Sequence, residues 1–139
     1  MYKILLVEDD LKIAGILVNY LKRYGYEVFE VKQLDQVFAE FQDIKPDLVL
    51  LDINLPYYDG FHWCRLIRTV SKVPVIFISA RTDEMNQVMA IEYGGDDYLT
   101  KPFHLEVVLA KIKSVLRRGK KELPPKDFRY VKRFGRSLS

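Results

Sequence analysis

The stretch "DLVLLDINLPYYDG" (residues 47–60) decides how the chain is read. Val49, Leu50, Leu51 and Ile53 are apolar enough for a core, yet Asp52 sits among them. A short continuous apolar run closed by turn formers is the pattern of a strand buried on both faces, and "LPYYDG" supplies the turn. A carboxylate at the end of such a strand is costly to bury unless something pairs it. Asp52 therefore demands partners from elsewhere in the chain.

Working outward, the same strand pattern recurs. "KILLV" (3–7) and "PVIFIS" (74–79) are continuous apolar runs, "YEVFEV" (26–31) alternates as a strand near a sheet edge would, and "DYLT" (97–100) is a last short strand. Helical patterns lie between them. Residues 11–24 carry Ile13, Leu17 and Leu21 on one face and end at Gly25, a residue suited to a left-handed cap. Asp35 is placed to cap a short helix with Val37, Phe38 and Phe41 inward. Helices are expected over 61–70, over about 84–93 before Gly94-Gly95, and over 104–118 with Leu105, Val108, Leu109, Ile112 and Leu116 inward. Strand and helix alternate five times, which predicts an α/β fold: a doubly wound five-stranded parallel sheet with helices on both faces.

Size and composition agree with one such domain. The chain has 139 residues, 49% of them hydrophobic and 29% charged. No apolar run is long enough to span a bilayer, and no secretory signal pattern opens the chain. Cys64 is the one cysteine, so no internal disulfide or thiolate metal site is expected, and a reducing cytoplasm is the plain expectation. The net charge of +3 is unevenly spread: seven bases and two acids give residues 119–139 a charge of +5 and leave −2 on residues 1–118. Helical periodicity stops after Arg118, and "GKKELPPKD" reads as a linker, so 119–139 are expected to be a disordered basic tail.

In open parallel sheets, ligands gather at the carboxyl ends of the strands. Glu8, Asp9 and Asp10 follow the first strand, Asp52 and Asn54 close the third, Ser79 ends the fourth, and Lys101-Pro102 follow the fifth. Taken alone, Asp10 reads as a helix cap, Ser79 as a turn serine and Lys101 as a solvated base. Together they place acids, a hydroxyl and an ammonium on one edge. Crowded carboxylates repel, so an ion is expected among them, and oxygen-only donors favour a hard divalent cation, Mg²⁺. A carboxylate beside Mg²⁺ can attack phosphorus to form an acyl phosphate, with the ammonium offsetting phosphoryl charge.

"ILLVEDD", "DLVLLDINLPYYDG", "PVIFISAR" and "GGDDYLTKPF" resemble the receiver domain of bacterial two-component response regulators over residues 1 to about 118. The resemblance implies the flavodoxin-like strand order 2-1-3-4-5. It makes Asp52 the phosphoacceptor, with Ser79 and Lys101 completing the catalytic set. Glu8, Asp9, Asp52 and the Asn54 backbone carbonyl become the Mg²⁺ ligands, Ser79 and Tyr98 the switch, and the Lys101–Pro102 bond cis. It further implies a sensor histidine kinase as phosphodonor, a homodimer through the fourth helix, fifth strand and fifth helix, and DNA binding only through a C-terminal domain that this chain lacks. "GGDDYLTKPF" and "SVLRR" are similar to the class with a C-terminal winged helix-turn-helix, and "FHWCRLIR" to bacitracin-resistance-type regulators that answer peptide antibiotics.

Asp97 and Lys111 match a charged pair of the dimer face, whereas Gln87 and Val107 stand where the family usually has a base and an acid. His62 and His104 read as exposed and non-catalytic. Rival readings fare worse. A metal-dependent phosphotransferase would often show Asp-x-Asp where Asn54 stands. A nucleotide or flavin module needs a glycine- or hydroxyl-rich phosphate loop where "EDDLKIAG" is acidic, and the complete site argues against a receiver-like module that is never phosphorylated. The resemblance implies a domain that makes and slowly loses its own phosphoryl bond, and so a signalling protein rather than an enzyme.

Overall fold

A computed structural model describes residues 1–80 and 84–121, the side chains of 84–86 and 119–121 excepted. Its order is β1 (Lys3–Val7), α1 (Leu11–Arg23), β2 (Glu27–Glu30), α2 (Val37–Ile44), β3 (Leu48–Asp52), α3 (Gly60–Arg68), β4 (Val75–Ser79), α4 (Glu84–Glu92), β5 (Asp97–Thr100) and α5 (Leu105–Lys121). The strands form one five-stranded sheet in the order β2-β1-β3-β4-β5, every neighbouring pair parallel. This is the expected doubly wound fold. The alternating "YEVFEV" segment takes the edge, and β3 and β4 are buried at every position.

Side chains along each strand alternate between two cores. Ile4, Leu6, Leu48, Leu50, Ile76 and Ile78 face α1 and α5, where Leu17, Leu21, Val108 and Ile112 cover them. Leu5, Val7, Val49, Leu51, Val75 and Phe77 face the other way, onto Phe41, Phe61, Cys64 and Ile67 of α2 and α3. The register sets Leu6 beside Leu50 and Leu51 beside Phe77, so bulky residues line up across the sheet.

Helix ends follow local chemistry. Asp10 caps α1 by accepting from Lys12 N and Ile13 N at 3.0 and 3.2 Å. At its other end Gly25 takes φ +89°, and Gly25 N and Tyr26 N donate back to Lys22 O and Leu21 O, a left-handed helix stop. The expected Asp35 cap is not formed: the residue before α2 is Gln36, with no side-chain cap bond. The Glu40 carboxylate instead accepts from Lys32 N and Gln33 N at 2.9 Å each, so the loop is tied to the middle of α2. Helix α5 continues to Lys121, beyond the expected end at Arg118. The remainder of the predicted tail, residues 122–139, lies outside the described residues. Among the described residues no helix is long and apolar enough to cross a membrane.

Cys64 is fully buried, and its Sγ–H donates to Tyr93 O at 3.1 Å. Burial pushes its thiol up to about 11. Thiolate is the reactive form, so iodoacetamide at pH 8 should leave the native domain unmodified and add one mass increment only after unfolding in urea. Labelling of the folded protein at a free-thiol rate would contradict this packing.

Candidate functional site

Four strand ends build one cluster. Among the described residues the buried polar side chains are Glu8, Asp52 and Ser79, at 7%, 2% and 0% exposure. They lie just after β1 and at the ends of β3 and β4, the three central strands of the sheet. Fixed positions follow from local bonds. Asp10 N donates to Glu8 Oε2 at 3.1 Å, and Asn54 N donates to Asp52 Oδ1 at 3.2 Å. Lys101 N donates to Ser79 O at 2.8 Å, anchoring the β5–α5 loop to β4, and the Lys101–Pro102 bond is cis as expected.

From there the Lys101 ammonium reaches both buried acids, 2.9 Å from Glu8 Oε1 and 3.1 Å from Asp52 Oδ2. Asp9, exposed, completes the cluster: Glu8, Asp9 and Asp52 each offer an oxygen within 4.8 Å of the others. Burial, then the hydrogen bond shared with Asp52, raises the Glu8 pKa above its ordinary value. Burial also raises that of Asp9. For Lys101 burial acts downward, but Glu8 and Asp52 outweigh it and the net shift is upward. The ammonium is therefore charged throughout the neutral range, and the stability it lends is lost only as pH rises through its raised value.

One cation does not balance three carboxylates. Glu8 Oε1 is buried with no donor aligned to it for a hydrogen bond, although the ammonium is near. Clustered oxygen donors without imidazole or thiolate suit a hard divalent cation such as Mg²⁺. The residues present fit that group.

The remaining predicted residues lie at or beyond the rim. Tyr98 is half-buried on β5 and packs against the α2–α4 side of the core. Asp97 and Lys111 form an ion pair of 2.8 Å within one chain, joining β5 to α5. Gln87 and Val107 are exposed, as is His104. His62 departs from expectation: it is half-buried, its ring stacked on Tyr58 at 4.1 Å.

Gly60 is a site residue that the sequence reading passes over as turn chemistry. Gly60 N donates to Ile53 O at 2.9 Å, and a Cβ there would stand 2.4 Å from Asp52 O and 2.9 Å from Ile53 Cα. Only glycine lets the first turn of α3 press on the end of β3. Arg68, at the far end of α3, was also passed over. It donates to Gly94 O and Val73 O, each at 2.6 Å, and pairs with Asp96 at 3.2 Å. Arg68 meets a loop far along the chain and Gly60 the end of the strand before its own loop, and neither contact is visible in the residue pattern.

An open parallel sheet with this acidic edge defines a class, and comparison with known proteins agrees. Residues 4–113 match the response regulator receiver domain, and the chain belongs to that family. It is 69% identical over 125 residues to the transcriptional regulatory protein YvcP of Bacillus subtilis, covering 90% of this chain and 53% of YvcP. It is 48% identical over 118 residues to the sensory transduction protein BceR of Halalkalibacterium halodurans, covering 85% of this chain and 51% of BceR. The chain thus spans about half the length of the curated relatives it matches. Among solved structures, the N-terminal domain of NsrR, a lantibiotic response regulator of nisin resistance, aligns with a TM-score of 0.78 at 43% identity. That alignment covers 84% of this chain and 98% of the NsrR chain.

Gly60→Ala tests the contact behind Asp52. Backbone cannot yield as a flexible side chain does, so overpacking should cost about 1–3 kcal/mol. The urea midpoint should fall with an unchanged slope. An unchanged midpoint would mean that α3 does not press on β3 as described.

Proposed function

We propose that this receiver domain takes a phosphoryl group onto Asp52 from a phosphohistidine of a sensor histidine kinase. The carrying observation is the buried Asp52 carboxylate, held by Lys101 Nζ and Asn54 N beside Glu8 and Asp9. An Asp52 oxygen bonds to phosphorus as the phosphorus–nitrogen bond of the phosphohistidine breaks, and the imidazole leaves with that electron pair. Glu8, Asp9, Asp52 and the Asn54 backbone carbonyl hold Mg²⁺, which supplies positive charge that offsets the phosphoryl oxygens. Lys101 adds a fixed ammonium, and the Ser79 hydroxyl donates to a phosphoryl oxygen.

The modification adds roughly −1.5 to −2 of charge at one buried point. Ser79 turns toward it and Tyr98 turns inward, favouring an active conformation already sampled. The α4–β5–α5 face then pairs with a second copy. Exposed ion pairs contribute only ~0–1 kcal/mol each, so Gln87 and Val107 weaken that pairing without abolishing it. Residues 1–118 form the receiver and 119–139 a basic linker toward a C-terminal winged helix-turn-helix, through which a cytoplasmic full-length regulator binds DNA. The NsrR resemblance supports a peptide antibiotic as the upstream signal. Phosphotransfer serves signalling here, not metabolism.

Incubation with acetyl phosphate and Mg²⁺ should add one phosphoryl mass to wild type and none to Asp52→Asn. Chelation of the metal should abolish the gain. Lys101→Ala should still fold but load far more slowly. Equal loading of Asp52→Asn would overturn the assignment. In sedimentation, beryllofluoride with Mg²⁺ should shift wild type from monomer to dimer, and an unchanged monomer at high concentration would count against the switch.

A further inference from the structure

The flank of α3 that meets the end of α4 is not used by the phosphoacceptor chemistry. It belongs to the segment "FHWCRLIR", residues 61–68. Phe61, Cys64, Arg65 and Arg68 recur at helical spacing and so share that flank. Phe61 and Arg65 hold the Tyr93 ring: the two ring centroids lie 5.2 Å apart, and the guanidinium carbon lies 5.6 Å from the Tyr93 centroid. Cys64 Sγ–H donates to Tyr93 O at 3.1 Å. Arg68 closes the grip. Its guanidinium donates to Gly94 O at 2.6 Å and pairs with Asp96, whose Oδ2 also accepts from Val75 N at 2.8 Å. Another arm of the fork donates to Val73 O at 2.6 Å. One side chain thus ties α3, the approach to β4 and the segment between α4 and β5.

Helix α4 stops at this grip. Gly94 takes φ +95°, and Gly95 N donates back to Ala90 O at 2.8 Å. A Cβ on Gly95 would stand 2.6 Å from the Phe77 ring, so the turn is pressed onto β4. Along its body the helix is held more lightly. Among its described side chains Ala90 is buried and Met89 packs against the core, while Val88 and Ile91 are exposed. Its other end begins at Glu84, shortly after Ser79 of the site. A helix fastened at one end, thinly packed along its body and joined to the phosphoryl site at the other is suited to hinge about the fastened end.

We propose that Arg68 is a positioning residue of the switch, fixing the C-terminal end of α4 as a pivot. A pull that reaches α4 from Ser79 then becomes a rotation of the helix about Gly94, which reshapes the α4–β5–α5 face. With the end released, the same pull is absorbed as slack and the face responds less. This deepens the phosphorylation switch and rests on it.

Hydrogen exchange of the full chain, with and without beryllofluoride and Mg²⁺, reads the pivot directly. In wild type the amides of 87–91 should change their exchange rates on addition, while those of Tyr93, Gly94 and Gly95 keep theirs. In Arg68→Met, which retains an apolar stem, the amides of 93–95 should change as well. Dimerisation of Arg68→Met with beryllofluoride should weaken roughly tenfold, the scale of a lost coupling. Arg68→Lys should recover little of it, since one ammonium cannot span two carbonyls as a planar fork does. Both variants should gain phosphoryl mass from acetyl phosphate as wild type does. Val18→Ala, in the core on the other face of the sheet, lowers stability without touching α4 and should dimerise like wild type. Equal change along 87–95 in wild type, or undiminished dimerisation of Arg68→Met, would overturn the pivot. Loss of loading in Arg68→Met would also overturn it, assigning Arg68 to the support of Asp52. A wild type that loads while α4 exchange stays unmoved sinks the pivot and leaves the phosphoacceptor reading intact; a wild type that does not load sinks that reading itself.

Discussion

A single ammonium holds together two carboxylates that the sheet forces out of water. Glu8 and Asp52 end neighbouring strands and are nearly inaccessible, so each carries a desolvation cost of several kcal/mol unless compensated. Lys101 compensates both at once. The rest of the edge is arranged around that bridge. Asp10 and Asn54 amides orient the acids, and the Lys101 amide bonded to Ser79 brings the side chain within reach. The arrangement stops short of neutrality, since Asp9 adds a third acid and Glu8 retains an oxygen with no aligned donor. Charge is left over where a divalent cation and a phosphoryl group would meet.

Much of this was legible in the sequence because its causes are local or repetitive. The apolar runs of β1, β3 and β4 announce strands buried on both faces, and alternation in β2 marks an edge. Glu8, Asp52, Ser79 and Lys101 could be gathered because the carboxyl edge of a parallel sheet collects whatever follows its strands. Strand order came from family resemblance, since alternation of elements does not determine it. Asp10 was rightly read as a cap from its place before an apolar helix. Asp35 fails by the same logic because α2 starts one residue later, after Gln36, which makes no side-chain cap bond. Gly60 and Arg68 were illegible, since their importance lies in a carbonyl or a loop contributed by another segment.

The α4–β5–α5 face shows how one residue pair can read differently in sequence and in space. Asp97 and Lys111 resemble partners across a subunit boundary, yet each satisfies the other inside one chain at 2.8 Å. Opposite charges side by side are self-complementary about a two-fold axis, because each can exchange its neighbour for the same group on a second copy. Such an exchange would replace one half-buried ion pair by another of the same kind. Val88 and Ile91 of α4 and Val107 of α5 add exposed apolar side chains to these helices.

The wide spacing of the site along the chain has a consequence for biosynthesis. Glu8 emerges from a ribosome early and Asp52 later, but Lys101 follows β5 and depends on its pairing with β4. Contacts of such high sequence separation close late in folding. A nascent or truncated chain therefore exposes acids with no ammonium to gather them, and it has no face of α4, β5 and α5 to present. Completion of the sheet through β5 is therefore a condition for assembling the charged edge at all, and no shorter piece of the domain can stand in for it.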